Sequence, residues 1–317
     1  MRTVHNTRLL AAIASIAALT AGCGGGSSTP SASLGSELSG ASFTVGSKDF
    51  TESIVLGQIT MQVLKAHGAA VVDKTNIKGS VTTRQALTSG DISMYWDYTG
   101  TAWINYLKHT TPIPDSAQQF QAVKDEDLAK NKIVWLDPAP MNNTYAFAVR
   151  KDAADQLHVK TMSDIARLAQ TDPSKATFCL ESEFSTRDDG WPGVKKAYNI
   201  NVPDSNVKML DTGVIYSETG KGQTCTFGEV FTTDGRISSL KLAVMEDDKH
   251  FFPSYNAALT IPQDINSKYP KVAEIMAPIT KKLTTEALQK INGRVDVDGL
   301  TAAEAATEWL KSESVFK

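Results

Sequence analysis

An α/β fold divided between two lobes is what this sequence predicts, on three observations. A short alternating strand, Phe43-Thr44-Val45, meets a Gly46-Ser47 turn and then a helix with an apolar face, the opening unit of an α/β layer. Strand and helix patterns go on alternating over about 275 residues, more than a single hydrophobic core usually encloses. Midway, Asn142-Asn143-Thr144-Tyr145 leads into the apolar run Ala146-Phe147-Ala148-Val149, which reads as a strand crossing into a second lobe.

The chain begins with a segment of a different kind. Arg2 and Arg8 flank the start, and the mostly apolar run from Leu9 to Ala21 is too short to span a bilayer comfortably, so it reads as a signal-peptide core. Leu19-Thr20-Ala21-Gly22-Cys23 puts small residues directly before a cysteine and resembles a bacterial lipoprotein signal. That resemblance implies removal of residues 1–22 and acylation of Cys23, although Thr20 stands where leucine is more usual. Each buried acyl CH₂ would contribute about 0.8 kcal/mol to holding the chain on a membrane surface. The run from Gly24 to Ser33 is small and polar, and residues 23–41 are expected to form a flexible tether.

With 32 basic and 35 acidic residues the formal net charge is −3, and it is two units more negative without Arg2 and Arg8. That excludes a nucleic-acid footprint. Apart from Cys23, the cysteines are Cys179 and Cys225. In an exported domain they predict a structural disulfide, two separate buried thiols being the other reading. They form no Cys-x-x-Cys and have no histidine nearby in sequence, so no metal site is expected.

The elements follow in order. After the first strand, stopped by Gly46, a helix is expected from Thr51 to Ala66 with Ile54, Val55, Ile59, Val63 and Leu64 on its apolar side. Lys48 lies in the turn before it, where helix N–H groups and the dipole favour an anion; a solvated surface lysine is the plain alternative. Thr82 to Ser89 reads as a short helix leading to a strand over Ile92–Tyr98 and a second helix around Ala102–Leu107. Ile133-Val134-Trp135-Leu136 is a further strand, closed by Asp137-Pro138. In the second half, helices near Met162–Leu168 and Pro192–Tyr198 precede a strand from Glu229 that turns at Asp234-Gly235, and another over Leu240–Met245. Phe251-Phe252-Pro253-Ser254-Tyr255 marks the return to the first lobe. From Pro270 on, amphipathic helices place Leu283, Leu288, Ile291, Ala305 and Leu310 in the core. The lobes are drawn accordingly at 42–142 with 253–317, and at 143–252.

The densest chemistry lies in Met94-Tyr95-Trp96-Asp97-Tyr98-Thr99-Gly100-Thr101, a buried strand ending in rings, a carboxylate and hydroxyls. Open α/β sheets bind ligands at such strand ends, and Tyr and Trp faces attract cations at about 0.5–2 kcal/mol per ring. Tyr98, beside Gly100, is the candidate contact; Tyr95, Trp96, Trp103, Trp135 and Trp191 are read as packing. Catalysis has no support. The histidines after the leader (His67, His109, His158 and His250) are scattered, and there is no Gly-x-Ser-x-Gly, His-Glu-x-x-His or Gly-x-x-x-x-Gly-Lys.

Five blocks, in order along the chain, resemble the substrate-binding proteins of ABC importers for glycine betaine, choline and related osmoprotectants. They are Gly46-Ser47-Lys48-Asp49-Phe50-Thr51-Glu52, Asp97-Tyr98-Thr99-Gly100-Thr101, Glu183-Phe184-Ser185-Thr186-Arg187, Thr232-Thr233-Asp234-Gly235-Arg236 and Phe251-Phe252-Pro253-Ser254-Tyr255. The resemblance implies a two-lobed, periplasmic-binding-protein-like fold with a hinged central cleft, no cofactor, and an ABC permease as partner. By motif position, Tyr98, Tyr145, Phe231 and Tyr255 would cage a quaternary ammonium head, and Lys48, Thr101 and Arg187 would hold a carboxylate. Ring faces suit that head because trimethylammonium has no N–H to donate, and a planar guanidinium suits a carboxylate. Two departures stand out: Phe231 replaces an expected tyrosine, and Asn143 stands where some relatives carry an aspartate. Lys48 and Arg187 favour glycine betaine; Asn143 keeps choline open, and an amino acid or other small solute is the remaining alternative.

Overall fold

Ten strands in three sheets carry the fold across residues 34–316, the part of the chain that the computed structural model describes. The strands are β1 (Ser42–Lys48), β2 (Ala70–Ile77), β3 (Tyr95–Tyr98), β4 (Ile133–Trp135), β5 (Tyr145–Arg150), β6 (Phe178–Leu180), β7 (Val207–Met209), β8 (Phe227–Phe231), β9 (Leu242–Val244) and β10 (Ala257–Pro262). β1 pairs with β2 in parallel, and a second sheet has the order β3-β10-β4. A parallel bridge from Val45 to Met94 ties the two together. The third sheet, β7-β6-β8-β5-β9, uses only strands between Tyr145 and Val244. Mixed pairing of this kind, with helices packed on the sheets, is an α/β architecture in which β5 and β10 are the antiparallel members that receive the chain at each crossing.

The Thr51–Ala66 helix is buried almost all round, including Val55, Leu56, Ile59, Val63 and Leu64. It packs on β1 and β2 and against the Thr285–Asp296 and Ala302–Ser312 helices, which explains why its pattern is less one-sided than a surface helix. Leu283, Leu288, Ile291, Ala305 and Leu310 all enter that core. On the other side, Phe147 meets Phe178 and Trp191 edge to face, the Phe147 and Trp191 centroids 5.9 Å apart, and Phe178 and Trp191 pack tilted against each other. Cys179 on β6 and Cys225 just before β8 are joined by a disulfide, their Cα atoms 5.7 Å apart.

Several expectations are corrected. Gly46 does not stop β1: the strand continues to Lys48, its register against β2 shifting between Gly46 and Lys48. The tether does not reach residue 41. Leu34 N–H donates to Ala66 O (2.8 Å) and Leu38 N–H to His67 O (3.0 Å), capping carbonyls that a helix end leaves free, while Leu38 is buried in the core. The helix placed at Ala102–Leu107 is a wide π-type turn, Ala102–Tyr106, following a single α turn at Thr99–Thr101. Cys23 and the signal segment lie outside the described residues.

Candidate ligand-binding site

Strand register assembles the rings. Tyr145 and Phe231 sit directly opposite one another in the antiparallel β5–β8 pair, with ring centroids 5.0 Å apart. Tyr98 ends β3, and Tyr255 lies two residues before Ala257, its partner on β10. Tyr145 meets Tyr255 edge-on at 5.3 Å. One ring was not anticipated. Phe50, at the N-cap of the Thr51–Ala66 helix, stacks on Phe231 at 5.2 Å and leans on Tyr98 at 5.7 Å. The result is a continuous arc, Tyr98, Phe50, Phe231, Tyr145, Tyr255, lining a cavity of about 300 Å³. Phe50 stood in the first motif block, but nothing in its local pattern distinguishes a ligand-facing ring from a packed one.

Gly100 is what lets Tyr255 approach. A Cβ at this position would fall 2.7 Å from Tyr255 Cε1 and 2.9 Å from Ser254 O. Gly100→Ala is therefore expected to displace the Tyr255 ring, destabilise the fold by about 1–3 kcal/mol and weaken ligand binding. Thermal unfolding and calorimetric titration of the variant check this; an unshifted melting temperature would refute the steric reading.

All eight residues singled out from sequence line this cavity: Lys48, Tyr98, Thr101, Asn143, Tyr145, Arg187, Phe231 and Tyr255. The cations, however, already have partners. Lys48 Nζ lies 2.8 Å from Asp97 Oδ1, with both side chains buried, and 5.0 Å from the Tyr98 ring centroid. Asp97 also accepts from Tyr98 N–H (2.8 Å) and from the Tyr95 hydroxyl, so it holds the turn as well as the lysine. Arg187 donates through Nε and Nη2 to Asp189 (2.8 and 2.6 Å) and through Nη1 to Glu183 (2.9 Å). Its Nη2 reaches Thr101 Oγ1 at 3.4 Å, and its guanidinium lies over Tyr145 at 5.3 Å. A guanidinium carries five N–H groups and an ammonium three, so donors remain on both for a ligand carboxylate.

Ionisation follows these contacts. Burial pushes the Glu183 carboxyl up, but the charges of Arg187 and Lys48 outweigh it and hold the group below the usual carboxylate range. Asp189 is likewise held low, burial being overcome by Arg187 and by hydrogen bonds from Tyr255 and Asn105. Glu229, on β8 in the cavity wall, is different. Burial drives its carboxyl well above the ordinary value, and among the described residues its one hydrogen-bond donor is Glu181 N–H (2.8 Å).

Contacts across the cavity run between the two sets of sheets. Ser80 N–H donates to Glu183 Oε2 (2.9 Å), Asn105 to Asp189 (3.2 Å) and the Tyr255 hydroxyl to Asp189 (2.6 Å). An aromatic cavity closed by paired charges from both sides defines a two-lobed, periplasmic-binding-protein-like solute-binding protein. The chain belongs to the family of substrate-binding domains of ABC-type glycine betaine transport systems, which matches it over residues 41–312. That is a family of binding proteins and not of enzymes. The chain is similar to the glycine-betaine-binding protein of Pseudomonas aeruginosa, 34% identical over 277 residues that cover 86% of this chain and 88% of the relative. It is also similar to the solved apo structure of YehZ from Escherichia coli: 31% identity, TM-score 0.64, 86% of this chain and 98% of that one. The crystal structure of a glycine betaine/carnitine/choline ABC transporter matches with TM-score 0.71 at 26% identity, over 87% of this chain and 100% of that one.

Proposed function

We propose that this protein is a lipid-anchored, extracytoplasmic binding protein that captures a quaternary ammonium osmoprotectant, glycine betaine foremost, and delivers it to an ABC permease. The observation that carries the reading is one cavity lined by both an arc of rings and two buried cations, Lys48 and Arg187. Rings take a permanent cation that cannot donate a hydrogen bond, and Lys48, Thr101 and Arg187 take the carboxylate at the other end. The lobes, 42–142 with 253–317 and 143–252, would separate by loss of the Ser80–Glu183 and Asn105–Asp189 contacts and close around ligand. Acylated Cys23 would hold the domain at the membrane beside its permease.

Choline is the second reading, favoured by one feature: Lys48 and Arg187 are already neutralised by Asp97, Asp189 and Glu183, so the clamp does not demand a ligand carboxylate. Calorimetric titration of ligand-free protein with glycine betaine and with choline tests both. Saturable binding of at least one, betaine the tighter, is expected. Silence for both would remove the assignment.

A further inference from the structure

Glu52 is the buried charge that the cavity does not itself account for. It lies in the first turn of the Thr51–Ala66 helix and is 3% exposed. Its Oε1 accepts from the Tyr98 hydroxyl (2.9 Å) and from Asn143 Nδ2 (2.8 Å), and its Oε2 accepts from Asn292 Nδ2 (3.2 Å). Tyr98 and Asn143 are both cavity-lining, so Glu52 stands one side chain behind the cavity surface. It has no cationic partner among the described residues, whereas Lys48 and Arg187 have theirs. Holding Asn143 by its amide nitrogen turns Asn143 Oδ1 the other way; that oxygen is buried and unpartnered among the described residues.

We propose that Glu52 is a specificity-determining residue: acting through Asn143 and Tyr98, it supplies the negative charge against which the ring cage selects a cationic head. This rests on the reading of the cavity as a quaternary ammonium site and adds to it the source of the counter-charge. Asn143 puts no charge of its own beside the cation, but its nitrogen is anchored on a carboxylate, and its buried carbonyl oxygen has no donor among the described residues. The surroundings do not neutralise that carboxylate. On β3, Tyr98 donates to it, and Asp97 beyond is spent on Lys48. In the turn after β8, Thr233 neighbours it, while Asp234 and Arg236 pair with each other at 2.5 Å; on the Thr285–Asp296 helix Asn292 donates to it, and Asp296 lies 3.5 Å from Arg236. Burial raises its proton affinity against four hydrogen bonds that lower it, so an incoming cation and a proton compete for the same carboxylate.

The test compares each ligand with its carbon isostere, in which a tert-butyl carbon replaces the quaternary nitrogen: glycine betaine against dimethylbutanoate, choline against dimethylbutanol. Shape is kept and only the positive charge is removed. Glu52→Gln should lower the betaine-to-isostere affinity ratio by about tenfold or more, and the charge-transposed double variant Glu52→Gln with Asn143→Asp should restore it. An effect of packing alone would weaken both members of each pair equally and leave the ratio unchanged, which overturns the inference. Should Glu52→Gln not fold, protein carrying Glu229→Gln decides, because Glu229 is the other carboxyl at the cavity that burial pushes up. The choline-to-dimethylbutanol ratio should fall between about pH 8 and pH 4.5 as Glu52 takes up a proton, neither ligand titrating in that range; a flat ratio overturns the inference. Wild-type binding of neither betaine nor choline removes the functional reading and this inference together, whereas wild-type binding with an unchanged ratio removes this inference alone.

Discussion

Replacing Arg187 by alanine is expected to cost about 3–5 kcal/mol of stability at neutral pH, because it strips the cation from a buried carboxylate. Among the described residues, Asp189 would keep the Tyr255 hydroxyl and the Asn105 amide, and Glu183 would keep Ser80 N–H and the charge of Lys48. The sign of the pH dependence follows. In the wild type, Asp189 is held below the ordinary aspartate value, so its pairing stabilises the fold above that value and is lost as pH falls through the lowered one. Without Arg187, burial is opposed by the Tyr255 and Asn105 hydrogen bonds alone, and the carboxyl is expected to move up. The deficit of Arg187→Ala should therefore be largest near about pH 7 and shrink towards about pH 4–5, where protonation removes the stranded charge. Urea unfolding midpoints at the two pH values measure it, and an equal deficit at both would show that Asp189 is not the group left uncompensated. The same variant should lose more affinity for betaine than for choline, which has no carboxylate; equal losses would reject the clamp.

Tyr98→Ala is expected to have the largest effect on binding. It removes a ring face worth about 0.5–2 kcal/mol to a cation, up to about thirtyfold in affinity, and opens the wall formed with Phe50. It also withdraws a donor from Glu52. Tyr98→Phe keeps the face and loses only that donor, so its betaine affinity should lie much closer to wild type. Equal losses in calorimetry would mean that the hydroxyl, and not the ring, is what the ligand needs.

How far the sequence could be read depended on whether a residue's neighbours in space were also its neighbours in pattern. Tyr98 was legible because it ends an apolar strand beside a glycine, and Tyr145 because it opens one. Lys48 and Arg187 were legible as cations but not as paired ones, since Asp97 and Asp189 are met only after folding. Asp97 holds its turn by accepting from Tyr98 N–H while it also binds Lys48. Glu52 went unread for a physical reason: a glutamate in the first turn of a helix ordinarily faces water and favours the dipole there. Only tertiary packing buries this one beneath Tyr98.

The missed elements have similar causes. β2 is mostly exposed along Ala70–Ile77 and shows no alternation, as befits a strand paired on one side to β1. The Ser116–Asn131 helix buries only Gln119, Val123 and Asp127, so no apolar stripe announces it. Asp127 is buried because it accepts from Arg84 and from Trp135 Nε1, at 2.7 Å in the latter case. The docking of residues 34–41 was hidden by composition: Leu34-Gly35-Ser36-Glu37-Leu38 looks like a tether, and its order comes from hydrogen bonds to the end of a helix formed by later residues.

The central claim is that the rings hold the ligand's cationic head while Lys48 and Arg187 hold its other end. A crystal structure of the protein with glycine betaine tests it most directly. The account predicts the quaternary nitrogen within about 6 Å of the ring centroids of Tyr98, Tyr145, Phe231 and Tyr255, with the carboxylate on Arg187, Thr101 and Lys48. The reverse orientation, or betaine bound outside this cavity, would contradict it.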